Sequence, residues 1–275
     1  MAASFNIDRI APTVGAEISG LSAEMLDDDN VIAEVHAAFV EHHVLVFRDL
    51  ALDRESHKAL GRRFGELHVH PSRRAPDFPG DREIFSVRAD ENTTLNNGGL
   101  WHADVTCDEI PPLGSLLRLT EQPGHGGDTL FANMHAAFES LSTPMQTFLE
   151  TLTALHDQQL DVERYRIAMP DDHAWVRNVH PVVVRHPVTG RKLLYVNRAF
   201  TRSIVELNPA ESRALLDLLC DHIADTHRFQ CRVRWEPDTL VLWDNRCVQH
   251  YAVWDYFPQR RVGERVTIAA TSRPA

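Results

Sequence analysis

The fold of this chain is decided by its C-terminal stretch TLVLWDNRCVQHYAVWDYFPQRRVGERVTIAAT, residues 239–271. Two runs of strand length lie at its ends, TLVLWD (239–244) and RVTIAAT (265–271), and both are rich in β-branched or aromatic residues. The residues between them include Asn, Asp, Pro and Gly, which favour turns and loops. The stretch therefore predicts sheet strands that are connected without a long helix.

Further strand-length runs precede this stretch. They are VLVF (44–47), LGSLLRLT (113–120), DTLFAN (128–133), HPVVVRH (180–186), KLLYVN (192–197) and FQCRVRW (229–235). The segment HPVTGRK (186–192) predicts a hairpin turn in which Gly190 can take positive φ. Helical spacing of apolar residues predicts helices over 24–41, 54–64, 134–155 and 209–226.

Many strands with few helices between them close most readily as a double-stranded β-helix, or jelly roll. We expect a mainly β fold in which helices such as 134–155 and 209–226 pack outside one sheet. No internal repeat and no Gly/Ser-rich or Pro-rich linker divides the 275 residues, so we expect a single domain over 1–275. The sequence does not choose between a monomer and a homo-oligomer such as a dimer or tetramer.

The composition argues against several classes of protein. A formal net charge of -11 is unlike that of nucleic-acid binders, which are usually basic. No apolar run approaches the roughly 18 residues of a membrane span, and the N-terminus lacks the features of a secretory signal, so we expect a cytoplasmic protein without a membrane partner. The four cysteines form no C-x-x-C pair, which favours reduced thiols over a disulfide framework or structural zinc (Cys107, Cys220, Cys231, Cys247).

The segment GGLWHADVTCDEIPP (98–112) contains the first candidate for chemistry. His102 and Asp104 are two residues apart, so an extended chain points both side chains to one face. They form either a hydrogen-bonded pair or two ligands that need a third, and His250 offers a third. Two histidines and one carboxylate are the facial triad that leaves positions of an Fe(II) ion open. With 16 histidines and 39 acidic residues in the chain, an H-x-D pair alone is a weak signal.

Two arginines after His250 strengthen the signal. Arg261 and Arg265 lie 11 and 15 residues beyond it, close to the last predicted strand. A guanidinium matches a carboxylate or sulfonate in a bidentate geometry and stays charged when partly buried. Here the sequence resembles the Fe(II)/2-oxoglutarate-dependent dioxygenases of the taurine dioxygenase and 2,4-D dioxygenase family. The motifs that carry the resemblance run in order along most of the chain: GAEISG (15–20), VFRD (46–49), RFGELHVHP (63–71), WHADVT (101–106), GGDTLFAN (126–133), HPVTG (186–190), WDNRCVQHYA (243–252) and DYFPQRRVGERVTI (255–268).

The resemblance implies a set of site residues. His102, Asp104 and His250 would bind Fe(II), and 2-oxoglutarate would chelate the metal while its far carboxylate meets Thr129 and Arg261. The anionic group of the substrate would be held by three further positions and enclosed by an aromatic one (His70, the N–H of Val105, Arg265 and Phe200). His68, two residues before His70, is the competing histidine of that segment. Dioxygen would be consumed and succinate and CO2 released.

The resemblance to taurine-specific members fails at the wall that would receive the ammonium group. Arg73, Gly98, Asp161 and Val162 stand there, where the taurine enzyme has Tyr, Asn, Ser and Phe. Because Arg73 would repel an ammonium, we expect a sulfonate with an uncharged tail to be used at least as well as taurine. Asp161 could instead accept a cationic group, pair with Arg73 or face solvent, and the sequence does not choose between these alternatives.

The main hypothesis is hydroxylation of taurine or a related sulfonate, with release of sulfite. The alternative within the same fold is a dioxygenase of alkyl sulfates or of aryloxy and other carboxylic acids. A non-catalytic jelly roll is disfavoured because every ligand position is filled. A zinc hydrolase with the same three ligands is disfavoured because it would leave Thr129 and Arg261 without a purpose. Whether the loop over 72–98 closes over bound substrate is not determined by the sequence.

Overall fold

The computed structural model describes residues 5–70, 73, 78–96, 98–170 and 172–275. In the described part of the chain the strands are β1 (Asn6–Arg9), β2 (Ala16–Ser19), β3 (Val44–Phe47), β4 (Ile84–Ala89), β5 (Gly114–Glu121), β6 (Thr129–Asn133), β7 (Thr153–Asp157), β8 (Arg177–Pro181), β9 (Val183–Arg185), β10 (Lys192–Leu194), β11 (Thr201–Ile204), β12 (Gln230–Val233), β13 (Leu240–Asp244), β14 (Val248–Ala252) and β15 (Arg261–Ile268). The α-helices are α1 (Asp29–His42), α2 (Arg54–Arg62), α3 (Met134–Glu139), α4 (Thr143–Leu149), α5 (Gln158–Arg164) and α6 (Pro209–Asp225).

A seven-stranded sheet forms one layer, with the strand order β1-β2-β3-β13-β5-β15-β4. Its pairs are antiparallel except for β2 and β3, which are parallel. Side chains alternate across the sheet, as the pleat requires. Leu45 and Phe47 of β3 pack into an outer core with α1, whereas Val44 and Val46 face an inner core.

The inner core lies between this sheet and a three-stranded sheet of order β12-β6-β14. Phe131 of β6, Val248 of β14 and Trp243 of β13 are all buried in it. Two packed antiparallel sheets are the architecture of a jelly roll, so the predicted fold class is confirmed. A second three-stranded sheet (β11-β7-β8) and the β9–β10 hairpin extend the same core.

Several predicted elements are confirmed with small shifts in their bounds. The run VLVF forms β3, the helix predicted over 54–64 is α2, and the helix predicted over 209–226 is α6. The strands β9 and β10 form the predicted hairpin, in which Gly190 has φ 69°. The region 24–41 begins with a 3₁₀ turn (Ala23–Asp27) before α1, because Asp28 caps the backbone N–H of Asn30.

Two sequence predictions were wrong. The helix predicted over 134–155 consists of two short helices, α3 and α4, followed by a strand, β7, which pairs with β8 and β11. The strand predicted over 180–186 is interrupted at Val182, whose N–H donates to Leu152 outside the ladder. In both cases pairing with distant strands decided the local structure.

The last strand begins earlier than predicted, at residue 261 instead of 265. This extension places Arg261 and Arg265 on the same strand and on the same face. The outer face of the large sheet is covered by α1 and α2, while α3 and α6 pack against the inner core. Among the described residues no helix is both long and apolar enough to cross a bilayer. All four cysteines are free and buried.

Close approach of β5 and β13 gives a test of the sheet. A Cβ added at Gly114 would lie 2.6 Å from the carbonyl oxygen of Trp243, which is strand backbone and cannot move aside. We expect Gly114→Ala to lower the free energy of unfolding by about 1–3 kcal/mol, measured by urea denaturation. Gly124→Ala is the matched control, because its nearest neighbour is the end of the flexible Gln259 side chain at 3.3 Å. Equal stability of the two variants would contradict this packing.

Candidate active site

The two halves of the site are joined through their backbones. The N–H of His102 donates to the carbonyl of His250 at 3.1 Å, and the N–H of His250 donates to the carbonyl of His102 at 2.8 Å. This isolated antiparallel bridge connects the 98–112 segment to β14. The two imidazole rings therefore lie side by side, with centroids 4.1 Å apart.

Asp104 completes the predicted three-residue group. Its Oδ1 lies 3.9 Å from Nε2 of His102 and 4.0 Å from Nε2 of His250. The side chain of Asn245 fixes the backbone of Asp104 by accepting from its N–H at 2.6 Å and donating to its carbonyl at 3.0 Å. The hydroxyl of Ser115 donates to Oδ2 at 3.3 Å, so Oδ1 is the oxygen that faces both imidazoles.

The protonation states suit a divalent metal. Nδ1 of His102 donates to the carbonyl of Leu100 at 2.7 Å, which leaves the lone pair of Nε2 directed at the site. Burial holds the pKa of His250 well below its usual range, so this imidazole is neutral. Burial alone would raise the pKa of Asp104, but Arg265 and the imidazoles outweigh it and the pKa lies below the usual range. Two imidazole nitrogens and one carboxylate are the donor set of a non-haem Fe(II) centre.

Arg265 lies directly beside this group. Its terminal nitrogen donates to Oδ1 of Asp104 at 2.6 Å, and its Nε is buried without a hydrogen-bond partner. The guanidinium lies 4.8 Å from the ring centroid of Phe85, and the same ring contacts His70. Burial, followed by the charge of Arg265, lowers the pKa of His70 to about 4. Val105 has φ 50°, a backbone conformation that valine rarely adopts.

Arg261 and Thr129 are close to each other around Trp235. The indole N–H of Trp235 donates to the Thr129 hydroxyl at 3.1 Å, and the guanidinium of Arg261 lies 5.5 Å from the Trp235 ring centroid. Nε of Arg261 donates to the carbonyl of Gly127 at 3.1 Å. Arg261 is only 4% exposed, and within the described part of the chain it forms no ion pair with a carboxylate. Burial lowers the pKa of this guanidinium.

Most of these side chains line one cavity of about 390 Å³, whereas Ser115, Trp235 and Asn245 contact its lining residues from behind. The predicted site residues that it brings together are His70, His102, Asp104, Val105, Thr129, Phe200, His250, Arg261 and Arg265. His68 is not among the lining residues, and its backbone N–H instead pairs with Thr267. A wider groove of about 760 Å³ between β11 and α6 contains none of the predicted site residues.

Only some of the four residues predicted to form the wall around the substrate tail line the cavity. Gly98 and Asp161 line the cavity, whereas Val162 is buried beside it. Arg73 does not line it: its guanidinium lies over the rings of Phe78 and Phe85. Arg73 contacts Phe85, which lines the cavity, but is not itself part of the wall, so the expected direct contact between Arg73 and an ammonium tail is not supported.

Asp161 is the residue whose role the sequence left open. Its side chain forms no ion pair with Arg73 or any other described cation. Burial raises its pKa, an effect partly offset by His102 and increased again by Asp104. The hydroxyl of Tyr165 accepts the N–H of Gly98 at 2.8 Å and closes the same wall. The loop over 72–98, whose closure over substrate the sequence does not determine, includes residues outside the described part of the chain.

Sequence reasoning missed four residues that shape this site: Phe85, Tyr165, Trp235 and Asn245. Asn245 could have been suspected, because it lies in the WDNRCVQHYA motif just before His250. The other three lie outside the motifs that contain the proposed ligands, and nothing in their local pattern distinguishes them from core aromatics. Only the tertiary structure brings Phe85 and Tyr165 to the cavity and Trp235 to the Thr129 hydroxyl.

Comparisons with known proteins agree with this geometry. Residues 6–267 match the sequence model of the taurine catabolism dioxygenase TauD, TfdA family. An alpha-ketoglutarate-dependent sulfonate dioxygenase of Saccharomyces cerevisiae is 37% identical over 273 residues, covering 95% of this chain and 66% of the yeast protein. The chain thus spans about two thirds of that relative's length.

A second relative matches over almost its whole length. An alpha-ketoglutarate-dependent sulfate ester dioxygenase of Pseudomonas putida is 32% identical, covering 98% of this chain and 90% of the relative. The crystal structure of AAD-2 in complex with Mn(II) and N-oxalylglycine superposes with a TM-score of 0.84 at 26% identity, covering 99% of this chain and 100% of that one. The chain belongs to the TauD/TfdA family of α-ketoglutarate-dependent dioxygenases.

Proposed function

We propose that this protein is an Fe(II)- and 2-oxoglutarate-dependent dioxygenase that hydroxylates a small sulfonate, with taurine as the leading candidate. The observation that carries the proposal is the combination, in one cavity, of the His102–Asp104–His250 group with a buried guanidinium that forms no ion pair with a carboxylate among the described residues. Burying a charged group without a counter-charge is energetically unfavourable, so the buried Arg261 guanidinium favours binding of an anionic ligand.

The metal would be held by His102, Asp104 and His250. When bound, iron and 2-oxoglutarate together supply the oxidising chemistry, in which dioxygen is consumed, the keto acid yields succinate and CO2, and oxygen enters a substrate C–H bond. The chain itself contributes positioning and exclusion of water, because no described acid or base besides the ligands is needed for that chemistry. Hydroxylation at a carbon that bears a sulfonate gives an adduct that expels sulfite and leaves an aldehyde.

The far carboxylate of 2-oxoglutarate would meet Arg261 and Thr129. A guanidinium supplies the counter-charge and a hydroxyl supplies a further hydrogen bond, which together satisfy a buried carboxylate. Trp235 orients this clamp, since it donates to the Thr129 oxygen and faces the guanidinium. N-oxalylglycine, found in the AAD-2 complex, is likewise a dicarboxylate.

The anionic group of the substrate would be held by Arg265, His70 and the N–H of Val105, with Phe200 as an aromatic wall. Support comes from the buried Nε of Arg265, which has no hydrogen-bond partner among the described residues and is available to an anion. In this proposal Asp161 receives the ammonium of an aminosulfonate, because it is a largely buried carboxylate in the cavity that forms no ion pair with a described cation.

Alkyl sulfates and aryloxy or other carboxylic acids remain the alternative substrates, since the same anion site would suit their head groups. The Pseudomonas putida relative is named for sulfate esters.

We further propose a single catalytic domain over 1–275 and a cytoplasmic protein with reduced thiols. The reduced thiols are supported by four buried free cysteines. The sequence does not choose between a monomer and a homo-oligomer such as a dimer or tetramer.

The first prediction concerns the metal ligands. Anaerobic addition of Fe(II) and 2-oxoglutarate should give a weak visible metal-to-ligand charge-transfer band. His102→Ala and His250→Ala should each abolish it, because each removes a proposed ligand. His125→Ala, which changes an exposed histidine outside the cavity, should keep it. A band that survives in both ligand variants would refute the assignment.

The second prediction concerns the clamp. Arg261→Ala should raise the concentration of 2-oxoglutarate required for half-maximal turnover by roughly 100-fold or more, since loss of one partner of a buried ion pair typically costs about 3 kcal/mol or more. Steady-state kinetics with varied 2-oxoglutarate measures this. Arg260→Ala removes the neighbouring, half-exposed arginine and should leave the requirement unchanged. An unaltered requirement in Arg261→Ala would exclude the clamp.

The third prediction concerns the substrate tail. Taurine should be preferred to propanesulfonate, which has a methyl group in place of the ammonium, by at least about tenfold in kcat/KM, corresponding to about 1.4 kcal/mol. Asp161→Asn should remove the preference while propanesulfonate turnover persists, and Arg265→Ala should lose both substrates. If Asp161→Asn leaves the ratio of the two kcat/KM values unchanged, Asp161 does not contact the tail.

A further inference from the structure

A second group of potential metal ligands is buried away from the active-site cavity. His43, His135 and Cys247 each offer a donor atom, and these atoms all lie within 4.8 Å of one another. None of the three side chains is more than 1% exposed. His43 lies between α1 and β3, His135 is in the first turn of α3, and Cys247 immediately precedes β14. Three separate parts of the fold thus meet at this point.

The hydrogen bonding of this group is incomplete. Both ring nitrogens of His43 are buried without a partner, and so is Nε2 of His135. Nδ1 of His135 donates to the carbonyl of Lys192 at 2.8 Å, which leaves its Nε2 as the lone-pair nitrogen. Buried polar atoms without a hydrogen-bond partner destabilise a folded protein, so such a concentration needs an explanation.

The neighbouring His186 and Asp244 differ in this respect. Nε2 of His186 donates to Asp244 at 3.0 Å, and its Nδ1 accepts from the N–H of Thr189 at 3.2 Å. Asp244 also receives two hydrogen bonds from Arg246, at 2.8 and 2.6 Å. This pair is satisfied by protein partners. The unsatisfied atoms belong to the two other histidines.

We propose that His43, His135 and Cys247 form a second, structural metal site that takes Zn²⁺ or a similar borderline-soft divalent ion. Two imidazoles and a thiolate are ligands typical of zinc, whereas the oxygen-preferring ions Mg²⁺ and Ca²⁺ would not select them. Tetrahedral zinc would separate its ligand atoms by about 3.4–3.6 Å, so small side-chain rotations would draw the three together. Asp244, within 4.8 Å of the Cys247 sulfur, contributes negative charge beside the ion.

A surface pocket of about 290 Å³ has in its lining His42 and Ala136, the residues next to His43 and His135 in the chain. Its two carboxylates are paired with arginines that line the same pocket, Glu41 with Arg9 and Glu139 with Arg191. The pocket therefore offers an incoming cation polar groups but no unpaired carboxylate.

Cys247 connects the proposed metal site to the active site. It lies three residues before His250 and immediately before β14, the strand that carries this active-site histidine. An ion bound there would tie β14 to the end of α1 and the start of α3. Because binding to the folded state stabilises it, zinc should raise the melting temperature. The two groups share no residue and so can be distinguished by mutation.

The test uses the full-length protein, stripped with a chelator and dialysed against Co²⁺ alone. Wild-type protein should bind a second cobalt ion per chain and show a thiolate-to-cobalt charge-transfer band in the near ultraviolet. The His102–Asp104–His250 group contains no thiolate, so it cannot produce that band. His102→Ala should therefore retain it, and Zn²⁺ should displace it.

Matched cysteine variants complete the experiment. Cys247→Ser should lose the band and the second ion, whereas Cys231→Ser, which changes a buried cysteine outside any described group of potential ligands, should keep both. His43→Gln provides an independent route if Cys247→Ser does not fold, and it should lose the second ion. Absence of the band in wild-type protein, or its persistence in Cys247→Ser or His43→Gln, would overturn the proposal.

Discussion

The paired backbone hydrogen bonds between His102 and His250 are the constraint on which the active site depends. They join a loop segment that precedes β5 to a strand of the smaller sheet, so the two imidazoles are positioned by main chain and not by side-chain packing alone. Asn245 adds the third element by holding the backbone of Asp104. Ligands that are fixed through the backbone have little freedom to relax, which is the preorganisation that a metal site needs.

The cavity contains charges that the protein neutralises to different degrees. Asp104 and Arg265 form a close pair, and each lowers the cost of burying the other. Arg261 has an aromatic neighbour and a carbonyl acceptor but no described carboxylate. Asp161 has no cationic partner among the described residues. The pattern suits a site that receives two anionic groups, from cosubstrate and substrate, and one cationic group.

The β15 strand explains how two arginines serve different parts of one cavity. Arg261 and Arg265 are four residues apart on one face, which separates their Cα atoms by about 13 Å along an extended chain. One guanidinium therefore lies beside Trp235 and Thr129, and the other lies beside Asp104 and Phe85. The buried histidines next to Cys247 are a separate feature of the same fold, built where α1, α3 and β14 meet.

Much of this could be read from the sequence. Alternating and β-branched runs predicted the jelly roll, because their period is set by the local backbone. The resemblance to a known family, carried by ordered motifs, implied that His102, Asp104, His250, Arg261 and Arg265 belong to one site. The wrong predictions concern segments whose structure is set by strands far away in the sequence. The segment of β7 was predicted as helix, because its pairing with β8 and β11 cannot be read from the local sequence.

The same reason limited the prediction of the site. Arg73 was expected to face the substrate tail, but its side chain packs on Phe78 and Phe85, and only their tertiary arrangement could reveal this. Cysteine spacing argued against structural zinc, and the buried group on which zinc binding is proposed comes from three distant segments. The sequence by itself determined the fold class, which follows from local patterns, and its motifs determined the family resemblance that implies the residue types of the proposed metal centre. Tertiary structure decided which buried charges and imidazoles lack a partner, because that depends on contacts between segments far apart in the chain.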